Sequence, residues 1–160
     1  MVAYLLDELH VDINQTGYNN NTSLSWAAER GHLDVVKVLC ERQADLSLVN
    51  RFSSTPLHLA CTSGHLEVVK YLVEAKADIA QGDCDNDTCL LLSASKGHTD
   101  LVEWLLEHGA NIEARNNNNN TALRMAAGSG SIGVARLLIE RYNVPVGQVG
   151  YNNNTYVFEV

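Results

Sequence analysis

The sequence predicts an all-α repeat solenoid of stacked helix–turn–helix units. Three observations point there. Thr22, Thr55, Thr88 and Thr121 recur every 33 residues. Gly31, Gly64, Gly97 and Gly130 recur at the same period. Between them, apolar residues fall at helical spacing, as in Leu66, Val69, Leu72 and Val73. Self-similarity at a fixed period of this length is the mark of a stacked array, in which each unit packs only on its neighbours.

The unit at 55–87 shows why each element forms. Thr55 followed by Pro56 is a helix start: the threonine caps, and proline suits the first helical position. Leu57, Leu59, Ala60 and Cys61 make a short apolar helix that Gly64 ends. His65 opens a second helix, in which Glu67, Lys70 and Glu74 take the polar face. A polar stretch then leads to the next threonine. Residues 1–13 read as a half unit. Full units follow at 22–54, 55–87, 88–120 and 121–154, and a truncated one at 155–160, all in one domain spanning 1–160. The fifth threonine, Thr155, comes 34 residues after Thr121, with the extra residue near 141–145. Both ends fall inside helices, so a segment cut from a longer array, or a chain whose caps are half-formed, is expected. Phe158-Glu159-Val160 has the form of a strand-adding C-terminal peptide, but it also aligns with the start of that fifth unit.

Thr55-Pro56-Leu57-His58-Leu59-Ala60, Gly64-His65-Leu66-Glu67-Val68-Val69 and Leu105-Leu106-Glu107-His108-Gly109-Ala110-Asn111-Ile112 resemble the ankyrin repeat. The resemblance covers essentially the whole chain. It implies β-hairpin fingers at the turns and a curved stack whose concave face binds a protein or peptide without catalysis. It also implies an alternative setting, as a regulatory or targeting segment of a channel, kinase or ubiquitin-ligase component. After the opening threonine, proline is present only as Pro56, and the family's histidine only as His58; Ser25, Leu91 and Arg124 take the histidine's place elsewhere. The glycine after the second helix survives only as Gly109, with Gln43, Lys76 and Tyr142 at the other positions. Near the finger tips, Asn20, Ser53, Asn86, Asn119 and Asn153 stand where the family has glycine, and asparagine is the best substitute for a left-handed residue.

Composition narrows the partners. Nineteen acidic residues against 11 basic ones give a formal charge of −8, which argues against a nucleic-acid surface. No run approaches the roughly 18 apolar residues of a membrane span, and the first residues lack a cationic leader. Cys40, Cys61, Cys84 and Cys89 have no CxxC spacing. They read as reduced thiols, Cys40 and Cys61 in the core, of an intracellular protein. A monomer is expected. Asn20, Asn86, Asn119 and Asn153 each precede a threonine by two residues, but their turn role and the missing leader argue against glycosylation.

No catalytic residues, metal site or cofactor is expected. Asp83, Asp85 and Asp87 alternate like a calcium loop, but its required glycine and glutamate positions hold Thr88 and Ala94. An acidic finger meeting a basic partner fits better. His32, His65 and His98 recur once per unit, and stacked helices lie about 8–10 Å apart, so they should not share an ion; inter-repeat hydrogen bonds are the simpler role. No phosphate-binding glycine loop or nucleophile elbow occurs. The five asparagines at 116–120 could pair with a peptide backbone, although drift in a tolerant turn accounts for them more simply. Trp26 and Trp104 fall at core positions.

Under the resemblance, the partner-facing residues are those of the fingers and first helices: Tyr18, Asn19, Asn21, Arg30, Arg51, Phe52, Ser54, Asp85, Asp87, Lys96, Asn117 and Asn118. Tyr18, Arg30, Arg51 and Phe52 stand out, because aromatic residues and arginine dominate interface hot spots.

Overall fold

The computed structural model describes residues 12–146. One compact unit ends at Asp78 and the other begins at Ile79. The first holds a tight turn at Tyr18–Asn20 and four helices: α1 (Ser23–Glu29), α2 (Leu33–Glu41), α3 (Pro56–Ser63) and α4 (Leu66–Glu74). The second holds α5 (Cys89–Lys96), α6 (Thr99–Glu107), α7 (Ala122–Gly128) and α8 (Ile132–Arg136), the last running into a π turn at Leu137–Arg141. In the first unit α1 packs on α3 and α2 on α4; in the second α5 packs on α7 and α6 on α8. Like helices thus stack on like. Leu24, Leu57, Val69 and Leu72 fill one core, and Leu90, Leu101, Leu105 and Leu138 the other.

The threonines cap the first helices, but each unit completes the cap differently. Thr55 Oγ1 accepts from the His58 N–H, while His58 Nδ1 accepts the Thr55 N–H at 3.2 Å and its hydroxyl at 2.7 Å. His58 is fully buried by this reciprocal box. Thr22 Oγ1 accepts from Ser25 N and meets the Ser25 hydroxyl at 3.1 Å. Thr121 Oγ1 accepts from Arg124 N. Leu91 has no polar atom to offer Thr88, and the buried Thr88 Oγ1 has no hydrogen-bond partner.

Stacking also explains one glycine. Gly31 has φ +72°, and a Cβ there would lie 2.5 Å from Nδ1 of His65. His65 in turn donates from Nε2 to the Glu29 carbonyl at 3.0 Å. The one-per-unit histidine is here an inter-repeat hydrogen bond. Among the described residues no cluster of His, Cys, Asp and Glu could hold a metal ion.

At the ends of the second helices, Gln43 and Lys76 are left-handed with φ +64° and +77°, as Gly109 is with φ +93°. Tyr142 is not: its φ is −103°, and Asn143 takes the left-handed position at +51°. The π turn absorbs the extra residue. Ala44, Ala77 and Ala110 close their helices onto Leu39, Leu72 and Leu105, whereas Val144 reaches back one residue further, to Leu138.

Two expectations are corrected. The fingers are not β-hairpins: the described residues form no strand, and pairing there is one isolated antiparallel bridge, Gly82 with Thr88. Each tip is a five-residue turn closed by hydrogen bonds, with too few flanking residues for a ladder. Trp26 and Trp104 are half-buried rather than core. Arg30 lies 5.5 Å over the Trp26 ring, and His108 stacks on Trp104 at 3.9 Å. Cys61 is fully buried, as expected of a core thiol, and Cys89 is too; Cys40, also expected in the core, is only half-buried, Cys84 is exposed, and none of the four is in a disulfide.

Lys76→Gly relieves a left-handed side chain and should stabilise the fold by about 1 kcal/mol; thermal melting checks this, and an unchanged or lowered midpoint refutes it. Thr55→Ala should cost about 1–3 kcal/mol, because it removes a cap and the hydroxyl bonded to buried His58. Thr88→Ala, at a cap already without its side-chain bond, should cost clearly less in the same denaturation measurement.

Candidate partner-binding surface

The tips are built by one device. In the turn at 50–54 the Asn50 N–H donates to the Ser54 carbonyl and the Ser53 N–H to the Asn50 carbonyl. The Asn50 side chain closes the ring: its Oδ1 accepts from Phe52 N at 2.9 Å and Ser54 N at 3.1 Å. Asp83 does the same for Asp85 and Asp87, and Asn116 for Asn118 and Asn120. Gly17, which has no side chain, stands at the corresponding place in 17–21. The fourth residue of each tip is left-handed: Asn20, Ser53, Asn86 and Asn119 have φ between +56° and +61°.

Neighbouring tips are tied along the backbone. Arg51 N donates to the Asn19 carbonyl in the first unit, and Asn117 N to the Asp85 carbonyl in the second, both at 2.9 Å. Side chains reinforce this. Arg51 Nη1 donates to Asn19 Oδ1, Asn117 Nδ2 to the Cys84 carbonyl, and Asn116 Nδ2 to Asp87 Oδ1 at 2.8 Å.

The candidate residues therefore divide. In the first unit Tyr18 is 76% exposed and Phe52 50%. Arg51 lies 5.1 Å over the Phe52 ring, so it bridges Phe52 and the neighbouring tip. Arg30 is exposed and Asn19 half-buried. Asn21 and Ser54, expected to face solvent, are buried at 6% and 8% exposure. Each is the last residue of its tip, where the turn narrows and returns to the helix cap. In the second unit Asp85, Lys96, Asn117 and Asn118 are exposed, whereas Asp87, at the corresponding last position, is half-buried.

The acidic finger thus spends two of its three carboxylates internally, Asp83 on its own turn and Asp87 on Asn116. Only Asp85 faces outward. The asparagine run is likewise occupied: Asn116 closes the turn, Asn117 ties tips, Asn119 supplies the left-handed residue, and Asn120 Oδ1 accepts from Arg124 Nε at 3.1 Å. Trp26 and Arg124 lie among the surface-lining residues but were not nominated from sequence. The signal for Arg124 was there: a cation at the position where the best-formed unit has buried His58.

A family model described as ankyrin repeats (3 copies) matches residues 1–83 and 76–148. The chain belongs to the ankyrin-repeat family. Repeats of this family generally mediate protein–protein interaction without catalysis. A search of curated proteins finds no match. No helix among the described residues is long and apolar enough to cross a membrane.

Burial raises the Asp87 carboxyl above its ordinary range; the Asn116 hydrogen bond opposes this, and the nearby Asp83 and Asp85 charges add to it. A carboxyl with a raised folded pKa costs stability while ionised, and the cost vanishes as pH falls through that pKa. Asp87→Asn, which keeps an acceptor for Asn116, should therefore raise the melting midpoint at neutral pH. The gain should shrink on acidification; an equal gain at every pH refutes the assignment.

Proposed function

We propose that this chain is a non-catalytic intracellular module that binds a protein or peptide partner through its finger tips and the adjoining first-helix ends. The patch at Tyr18, Asn19, Arg30, Arg51 and Phe52 is the strongest part of that surface. One observation carries this reading: two exposed aromatic rings sit on neighbouring tips, with a guanidinium held over one of them. An exposed aromatic held at the apex of a turn gains little for the fold, since its ring reaches no core. Held rigid, it loses little conformational entropy on binding, and a ring with arginine over it supplies apolar area and donors together. Four cysteines outside any disulfide agree with a reducing compartment.

Arg51→Ala combined with Phe52→Ala removes the anchor and its cation. Partner proteins captured on the wild-type chain should be lost by the double variant, with affinity falling about tenfold or more. The melting midpoint should stay close to wild type. Unchanged affinity with an intact fold refutes the surface.

A further inference from the structure

The first unit segregates its charge. Its two tips and its first helices with their caps hold one carboxylate, Glu29, against Arg30 and Arg51. The tips at 17–21 and 50–54 and helix α3 contain no acid at all. The second helices carry the acids instead, all exposed: Asp34 and Glu41 on α2, Glu67 and Glu74 on α4. Packed helices lie about 8–10 Å apart, and the Debye length at physiological salt is about 8 Å. Those acids are therefore largely screened from the tips, and a ligand at Arg51 meets a local positive charge in a chain whose formal charge is −8. Arg51 is exposed yet fixed. Its backbone N–H is tied to the Asn19 carbonyl, its Nη1 to Asn19 Oδ1 at 3.1 Å, and its guanidinium lies 5.1 Å over the Phe52 ring. Among the described residues that guanidinium makes no other hydrogen bond and no ion pair. It has five N–H donors, so most remain for a ligand, and the Asn19 amide keeps Nδ2 as a further donor beside them.

We infer that the Arg51–Phe52 patch binds an acidic segment of the partner, in which an aspartate or glutamate stands next to a large apolar residue. The planar guanidinium matches the two oxygens of a carboxylate. Phe52, half-exposed, offers ring area to the neighbouring apolar side chain. A basic segment would set its own cation against Arg51, with no acid in either tip to receive it. A nucleic acid would need a basic stripe, and the chain around this patch is acidic. The inference rests on the protein-binding reading and names the partner's chemistry at that same patch.

Random peptides displayed through their C-termini, so that only side-chain carboxylates are offered, are selected on the whole chain and counter-screened on Arg51→Ala combined with Phe52→Ala. Peptides lost on the double variant should share an aspartate or glutamate beside an aromatic residue, leucine or methionine. Replacing that acid by its amide should weaken wild-type binding about tenfold, and the difference should narrow as salt rises. Arg51→Glu should weaken the same peptides further, and replacing the peptide's acid by lysine should restore binding to Arg51→Glu. A merely structural role for Arg51 would not produce that exchange. If Arg51→Glu folds poorly, the acid and amide peptides on the wild-type chain decide the matter. Peptides lost on the double variant but indifferent to the acid overturn this inference and leave the protein-binding reading standing. A selection that yields no peptide, or none lost on the double variant, overturns both.

Discussion

The outer surface depends on one small interaction: in three of the four described tips, a side-chain oxygen at the first residue accepts two backbone N–H groups of the same turn. Asn50, Asp83 and Asn116 all do this. The bond is worth only about 1 kcal/mol as hydrogen bonds go. Its geometric effect is larger. It closes the loop over five residues, with the fourth in the left-handed region and the second and third at the apex. Those apex residues are Arg51 and Phe52 in one unit, and Cys84, Asp85, Asn117 and Asn118 in the other. Because the closure is made by a side chain, the tip needs no β-ladder beneath it. Backbone bonds between neighbouring tips then supply the continuity that a sheet would have given.

The helical part of this design was legible in the sequence because it is written in periods. Thr at a cap, Gly at a left-handed terminus and apolar residues at helical spacing each have a single local cause, and Thr55, Gly64 and Leu72 could be placed without knowing their neighbours. The tips were less legible because their bonds run between side chain and backbone, which no apolar pattern reports. Asp83 and Asp87 looked like surface charge and are largely structural. Asn21 and Ser54 looked exposed, but burial at the neck of a turn depends on which way the chain leaves it. The tryptophans misled for a related reason: an indole at an apolar register position can still keep one face for an arginine or a histidine.

The third residue of each first helix shows one position solving one problem in several ways. His58 and Ser25 offer a polar atom to the capping threonine. Leu91 fills the space and leaves Thr88 unpaired. Arg124 turns outward to Asn120 and becomes part of a cleft. Burial, cap chemistry and surface charge thus compete at a single site, and the unit with the most complete cap has the least outward chemistry there.

The π turn at Leu137–Arg141 has a consequence for how such arrays lengthen. A residue gained in a loop would alter the tip, and one gained in mid-helix would rotate every side chain after it. Taken up as a bulge in the last turn of a second helix, it leaves Leu138 buried and moves the left-handed residue along by one, from Tyr142 to Asn143. The helix terminus acts as an expansion joint. Mutation can change the length of a unit there while the faces on either side keep their alignment, so insertions in relatives of this chain should gather at that joint rather than spread evenly along the repeat.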